Sequence, residues 1–293
     1  MTVLESAIER YVAARTLAQA LECLREVEGA TVLAGGTDLM PQTQIGRRSI
    51  GPALVNIRRI DELRAIAEEG ATVRIGALTT ITELMTNEIV RRRFPVLVET
   101  GDHFASDQIR NAATVGGNLC NASPAGDTLV PLLVLDASVE LASLGEKGIE
   151  RRRLPLREFF TGPGRTKRAP AELLVAVHVP VPAEGHFARF FKFGTRPALD
   201  ISTISIGLAA TRRDGTLADV RVAFGAVAPT PVRSPGTEKA LEGRRLDAAT
   251  IAAAAKAARD EVQPIDDVRA SAWYRKELIH NMTARMLTHV ADA

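Results

Sequence analysis

Two stretches decide how this chain is read: Leu33-Ala34-Gly35-Gly36-Thr37-Asp38-Leu39 and Ala113-Thr114-Val115-Gly116-Gly117-Asn118. The first follows Thr31-Val32-Leu33-Ala34, an apolar run that reads as a short buried strand. The second precedes Ala122-Ser123-Pro124-Ala125-Gly126-Asp127. Adjacent glycines let the backbone reach positive φ and turn successive N–H groups toward one point. Such a nest of amides binds anionic oxygen, above all phosphate. Thr37 and Thr114 add hydroxyl donors, and Asn118 can both donate and accept. One nest serves one phosphate, whereas two on neighbouring loops suit a pyrophosphate. Neither stretch carries the lysine-bearing nucleoside-triphosphate motif or the GxGxxG dinucleotide turn. Taken singly, each Gly-Gly pair also reads as a plain tight turn.

Outward from these loops the chain divides into three parts. In the first, 1–58, Thr16-Leu17-Ala18-Gln19 has capping-box spacing and opens a helix that ends near Gly29. A second strand at 53–57 follows a loop with Gly46, Gly51 and Pro52, which makes a small α/β unit. In the second part, 59–180, 71–76 alternates like a strand, and 80–85 and 95–104 read as helices. The Gly-, Asn-, Ser- and Asp-rich 105–124 reads as loop, and 132–134, 138–144 and 173–179 read as strands. Pro180 and Pro182 mark the clearest linker. In the third part, 186–293, strands are expected at 187–193, 202–212 and 217–226. Arg213-Asp214-Gly215-Thr216 forms the hairpin between the last two. Helices follow at 248–261 and 272–287, so a sheet then helices predicts an α+β domain.

The composition narrows the function classes. Of 293 residues, 46% are hydrophobic and 25% charged, which fits a chain with a real core and excludes a disordered tail, a collagen-like fibre or a disulfide scaffold. The net charge of +2, from 37 basic and 35 acidic residues, leaves no basic field for nucleic acid. The longest apolar stretch, 129–144, is interrupted by Asp136 and Glu140 and is too short to span a bilayer. The start, MTVLESAIERYVAAR, lacks the basic end and unbroken apolar run of a signal peptide. A cytoplasmic protein is expected. Cys23 and Cys120 are too few for a secreted framework or a four-cysteine metal site. His103, His178, His186, His280 and His289 are scattered without a close ligand pair, so no metal site is expected.

Some motifs read less sharply. Arg91-Arg92-Arg93 and Arg151-Arg152-Arg153 suggest a solvated face or a docking edge. Gly162-Pro163-Gly164-Arg165-Thr166-Lys167 looks like a phosphate loop but lacks the GK[ST] ending. Cys120 is either a reactive thiol or a buried, inert one.

Together, the two glycine loops resemble those of the flavoprotein subunit of molybdenum hydroxylases, the xanthine dehydrogenase and aerobic carbon monoxide dehydrogenase family. The resemblance covers essentially the whole chain. Its most specific parts are Ala34-Gly35-Gly36-Thr37-Asp38-Leu39, the run Gln108-Ile109-Arg110-Asn111-Ala112-Ala113-Thr114-Val115-Gly116-Gly117-Asn118, then Ala122-Ser123-Pro124 and Asp127. It implies an α+β fold: a two-part FAD-binding domain followed by a C-terminal antiparallel sheet plus helices.

By position, Val32, Leu33, Ala34, Gly35, Gly36, Thr37, Asp38 and Leu39, with Thr114, Val115, Gly116, Gly117 and Asn118, would cradle the FAD pyrophosphate. Asp127 would accept hydrogen bonds from the cofactor's sugar, or else cap the following helix. Phe104 would stand near the flavin ring, or else be core. Leu174 would pack on the cofactor. Lys192 would place a cation near the flavin, with a surface lysine as the alternative; on a strand its side chain faces away from Phe191 and Phe193.

The resemblance also implies non-covalent FAD and no catalytic residue acting on the primary substrate. The partners it implies are an iron–sulfur small subunit and a molybdenum-cofactor large subunit, in a dimer of heterotrimers. Iron–sulfur clusters and molybdenum cofactor would sit only in those partners. Some relatives carry a cluster on a cysteine-rich insertion in the flavin subunit, but here 118–132 is short and holds one cysteine. The alternatives are a freestanding FAD-dependent reductase of the related cell-wall precursor class and a non-catalytic nucleotide-binding module.

Overall fold

The computed structural model describes residues 8–196 and 199–292; residues 1–7, read above for a leader, lie outside the described residues. The first unit comprises β1 (Arg10–Ala13), α1 (Leu17–Glu26), β2 (Thr31–Leu33), α2 (Leu39–Gln44) and β3 (Ala53–Asn56). Its strands form a parallel sheet in the order β1-β3-β2. The α1 cap departs slightly from the predicted box. Thr16 Oγ1 accepts from the Gln19 amide at 3.2 Å, but Gln19 Oε1 accepts from Arg15 N–H at 2.9 Å rather than from Thr16. Leu17, Ala20, Leu21 and Leu24 pack the helix onto Ala53, Val55 and Ile57 of the sheet.

The second unit runs through β4 (Ile66–Glu69), β5 (Thr72–Gly76), α3 (Ile81–Thr86), α4 (Glu88–Arg93), α5 (Pro95–Asp102), α6 (Asp107–Arg110), α7 (Val115–Asn121) and α8 (Leu129–Val134). It continues through β6 (Ser138–Gly145), β7 (Gly148–Pro155), β8 (Phe160–Gly162), β9 (Arg165–Thr166) and β10 (Leu173–Pro180). Five of these strands make an antiparallel sheet in the order β4-β5-β10-β6-β7. The third unit is an antiparallel sheet of β11 (His186–Phe193), β12 (Ile204–Arg213), β13 (Thr216–Gly225) and a short β14 (Val232–Arg233), one strand more than expected. It is followed by α9 (Pro235–Leu241), α10 (Ala248–Glu261) and α11 (Ala272–Asp292). Asp214 and Gly215 both take positive φ, +50° and +76°, as a tight two-residue hairpin requires.

Two expectations are corrected. The segment 132–134 is not a strand but part of α8, whose six residues are all buried. A helix apolar on every side shows no period, so a short apolar run does not distinguish it from a core strand. This helix lies between the second unit and the C-terminal sheet. A Cβ added to Gly207 on β12 would come within 2.8 Å of Val130 Cγ1, which is how closely sheet and helix approach. The stretch 105–124, read as loop, holds α6 and α7. Its helices are nucleated by side-chain caps, Ser106 accepting from Ile109 and Thr114 from Gly117.

The arginine runs are largely neutralised within the chain. Arg151 reaches Glu140 at 2.8 Å and Glu62 at 3.6 Å, Arg152 reaches Glu172 at 2.5 Å, and Arg153 reaches Glu140 at 3.4 Å. Glu140, on the neighbouring β6, and Glu172, just before β10, are both buried, so β7 presents its arginines to carboxylates of its own unit. Arg92 and Arg93 share Glu68.

Candidate functional site

A cavity of about 1020 Å³ opens between the two glycine loops, at the upper end of the roughly 300–1,000 Å³ usual for small-molecule sites. The first loop links β2 to α2. Gly36 stands at φ +74°, a conformation that L side chains rarely adopt. Gly35 touches the other loop: a Cβ there would lie 2.0 Å from the Ala112 carbonyl oxygen. Among the described residues, no protein acceptor meets the N–H groups of Gly35, Gly36, Thr37 or Asp38. Four successive amides on the cavity wall are thus open to a ligand. The Asp38 carboxylate is turned back on α2, accepting from Gln42 Nε2 at 2.7 Å.

The second loop is built differently. Neither Gly116 nor Gly117 has positive φ; both belong to the first turn of α7. Its amides are already paired: Val115 donates to Thr79 O (2.9 Å), Gly116 to Ala77 O (2.9 Å), Gly117 to Thr114 Oγ1 (3.0 Å) and Asn118 to Thr114 O (2.9 Å). Gly116 is required by packing, since a Cβ would lie 2.7 Å from the Ala77 Cβ and 2.8 Å from its carbonyl. Asn118 Oδ1 accepts from Thr128 Oγ1 at 2.6 Å, and its amide nitrogen meets no acceptor among the described residues.

At the side of the cavity facing the C-terminal sheet, Asp127 Oδ2 accepts from Lys192 Nζ and Oδ1 from Ser202 Oγ, both at 2.8 Å. Lys192 also donates to the carbonyls of His103 and Asp200, each at 3.0 Å, so its three protons are all used. Burial pushes the Asp127 carboxyl above its ordinary value, against the pull of Lys192 and Ser202. The Lys192 side chain is 4% exposed and therefore no surface lysine.

Of the residues expected at the site, Val32, Ala34, Gly35, Gly36, Thr37, Asp38, Leu39, Phe104, Thr114, Gly116, Gly117, Asn118, Asp127 and Leu174 line this one cavity. Leu33, Val115 and Lys192 do not; Lys192 stands behind Asp127.

Residues 6–182 match the family model of the FAD binding domain in molybdopterin dehydrogenase, and 189–290 match the CO dehydrogenase flavoprotein C-terminal domain. The chain belongs to the flavoproteins of the molybdopterin dehydrogenases. It is 36% identical over 286 residues to the xanthine dehydrogenase FAD-binding subunit of Escherichia coli O157:H7, covering 97% of this chain and 96% of the relative. It is 32% identical to the carbon monoxide dehydrogenase medium chain of Hydrogenophaga pseudoflava, covering 94% and 95%. The solved carbon monoxide dehydrogenase from that organism superposes with a TM-score of 0.89 over 95% of both chains. The likeness thus covers at least 94% of this chain and 95% of each of these relatives.

In this flavoprotein, sequence reasoning missed Ser202, Asp200 and Arg48. Ser202 meets Asp127 from 75 positions away, and Asp200 and Arg48 line the cavity from loops without a local motif. The Gly164-Arg165-Thr166 stretch did carry a signal, its likeness to a phosphate loop, and it too lines the cavity. Among the described residues no helix is long and apolar enough to cross a membrane, and no group of three or more His, Cys, Asp or Glu could hold a metal ion.

Proposed function

We propose that this chain is the FAD-binding electron-transfer subunit of a multi-subunit molybdenum hydroxylase. It takes electrons from iron–sulfur clusters of a small partner and passes them to an external acceptor, while a molybdenum-cofactor partner oxidises the substrate. The reading rests above all on the run of unpaired amides from Gly35 to Asp38, facing a cavity of about 1020 Å³. The fit is physical: a side chain at Gly35 would collide with the neighbouring backbone, and open N–H groups without an acceptor cost about 1–3 kcal/mol each if buried and unmet. A phosphate satisfies them.

Bound FAD supplies redox chemistry that accepts electrons singly and releases them in pairs. The chain's own residues bind and orient. The Gly35–Asp38 amides hold a phosphate, with the Thr37 hydroxyl and Asn118 Nδ2 as further donors. Asp127, with two acceptor positions left after Lys192 and Ser202, accepts from sugar hydroxyls. Phe104 and Leu174, 8% and 2% exposed, give the ring an apolar wall. Lys192 acts through Asp127, fixing the carboxylate and balancing its charge. Cys23 and Cys120 are too few to hold an iron–sulfur cluster, so electrons enter from a docked partner. A dimer of heterotrimers in the cytoplasm is the assembly this reading expects.

The test is anaerobic reconstitution. The flavin of the isolated chain should stay oxidised when candidate substrates are added, and bleach once both partner subunits are supplied. Substrate-dependent bleaching of the isolated chain would contradict the relay and favour a freestanding reductase.

A further inference from the structure

The cavity has a basic end that the assignments above leave unused. Arg48, from the loop between α2 and β3, and Arg165, on the β8–β9 hairpin, line it together with Arg168. Arg168 is committed to its own turn, its Nη1 donating to the carbonyls of Ala169 (3.1 Å), Pro170 (3.2 Å) and Glu172 (2.6 Å). Among the described residues, the Arg48 and Arg165 guanidinium groups have neither an ion pair nor a hydrogen bond, although both residues border the cavity. Burial pushes the Cys120 thiol on α7 up, and Arg168 and Arg48 are the cations that oppose it, so the Arg48 charge lies near the α7 wall. The three carboxylates of the lining face partners other than these arginines: Asp38 accepts from Gln42, Asp127 from Lys192, and Asp200 from the Arg196 amide at 3.4 Å, with Lys192 at 3.9 Å.

A diphosphate brings two negative charges and more acceptor oxygens than one loop of four amides can meet. The expected second nest offers none, because every amide from Val115 to Asn118 is paired within the chain. Guanidinium forks match phosphate oxygens and stay charged at all relevant pH. We propose that Arg48 and Arg165 bind the phosphate of the adenylate half of FAD, supplying the charge that the second glycine loop does not. The phosphate-loop-like stretch Gly164-Arg165-Thr166 then acts on phosphate through its arginine rather than through a lysine and a nest. This inference rests on the reading of the cavity as an FAD site.

The experiment titrates the flavin-free full chain with FAD and with ADP, using flavin fluorescence and competition, at several salt concentrations. Arg48→Gln and Arg165→Gln should each weaken FAD by about tenfold and the double variant by about a hundredfold, the scale of lost charge-assisted hydrogen bonds. ADP should lose the same factors, and the salt dependence of FAD binding should become shallower. Arg47→Gln, next door in sequence but outside the cavity lining, should bind as the unmodified chain does. Both target arginines are exposed, so melting temperatures should not move. Unchanged FAD and ADP affinity in a double variant, with FAD still bound by the unmodified chain, overturns the arginine assignment alone. An unmodified chain that binds no FAD overturns the proposed function and this inference with it.

Discussion

Gly35-Gly36 and Gly116-Gly117 are the same dipeptide in neighbouring loops, yet the fold uses them for different ends. At the first pair the backbone leaves helix and strand, Gly36 takes positive φ, and four consecutive amides have no partner among the described residues. At the second, the chain is already helical, each amide has an acceptor, and glycine is needed because α7 lies against Ala77 with no room for a methyl group. Glycine therefore marks either conformational freedom or close approach, and only the partners of the N–H groups separate the two. In the function proposed above, the backbone amides of the first loop bind phosphate, while those of the second are spent on holding the opposite wall.

That division can be broken by substitution, and the largest effect is expected just beyond the second loop. Asp127→Ala strands the buried Lys192 ammonium, and losing one partner of a buried ion pair costs about 3–5 kcal/mol. Urea unfolding of the flavin-free chain measures it; a loss below 1 kcal/mol would mean that Asp127 does not tie the cavity wall to β11. Next come the paired substitutions that contrast the loops. Gly116→Ala overpacks against Ala77 and should lower stability by about 1–3 kcal/mol, while molecules that remain folded still load FAD. Gly36→Ala adds left-handed strain of about 1–2 kcal/mol, and its flavin loading should fall further than its stability. Reversed outcomes, with Gly116→Ala stable but flavin-free, would exchange the roles of the loops. The smallest effect belongs to Gly117→Ala, whose new Cβ meets only the Thr114 hydroxyl, 2.8 Å away. Disturbing that cap should cost about 1 kcal/mol by thermal unfolding and leave FAD in place.

How much of this could be read from the sequence follows the range of the forces involved. The α1 cap at Thr16 and the Asp214-Gly215 hairpin are set by neighbours a few residues apart, and both lie where local pattern placed them. Alternation along β11 put Lys192 on the face opposite Phe191 and Phe193. Those phenylalanines pack into the C-terminal core while Lys192 reaches Asp127 on the other side. α8 was misread because uniform burial erases the helical period, and α7 because its Gly- and Asn-rich composition outweighs one threonine cap. The acceptors that close the amides of α7, Ala77 O and Thr79 O, lie more than thirty residues upstream, and no local pattern announces them.

The central claim, that one glycine loop binds and the other supports, is tested most directly by hydrogen–deuterium exchange at single-amide resolution on the chain with and without FAD. The amides of Gly35, Gly36, Thr37 and Asp38 should exchange fast in the flavin-free chain and become protected when FAD binds. Those of Val115, Gly116, Gly117 and Asn118 should be protected in both states and change little. New protection confined to Val115–Asn118, with 35–38 unaffected by FAD, would contradict the account.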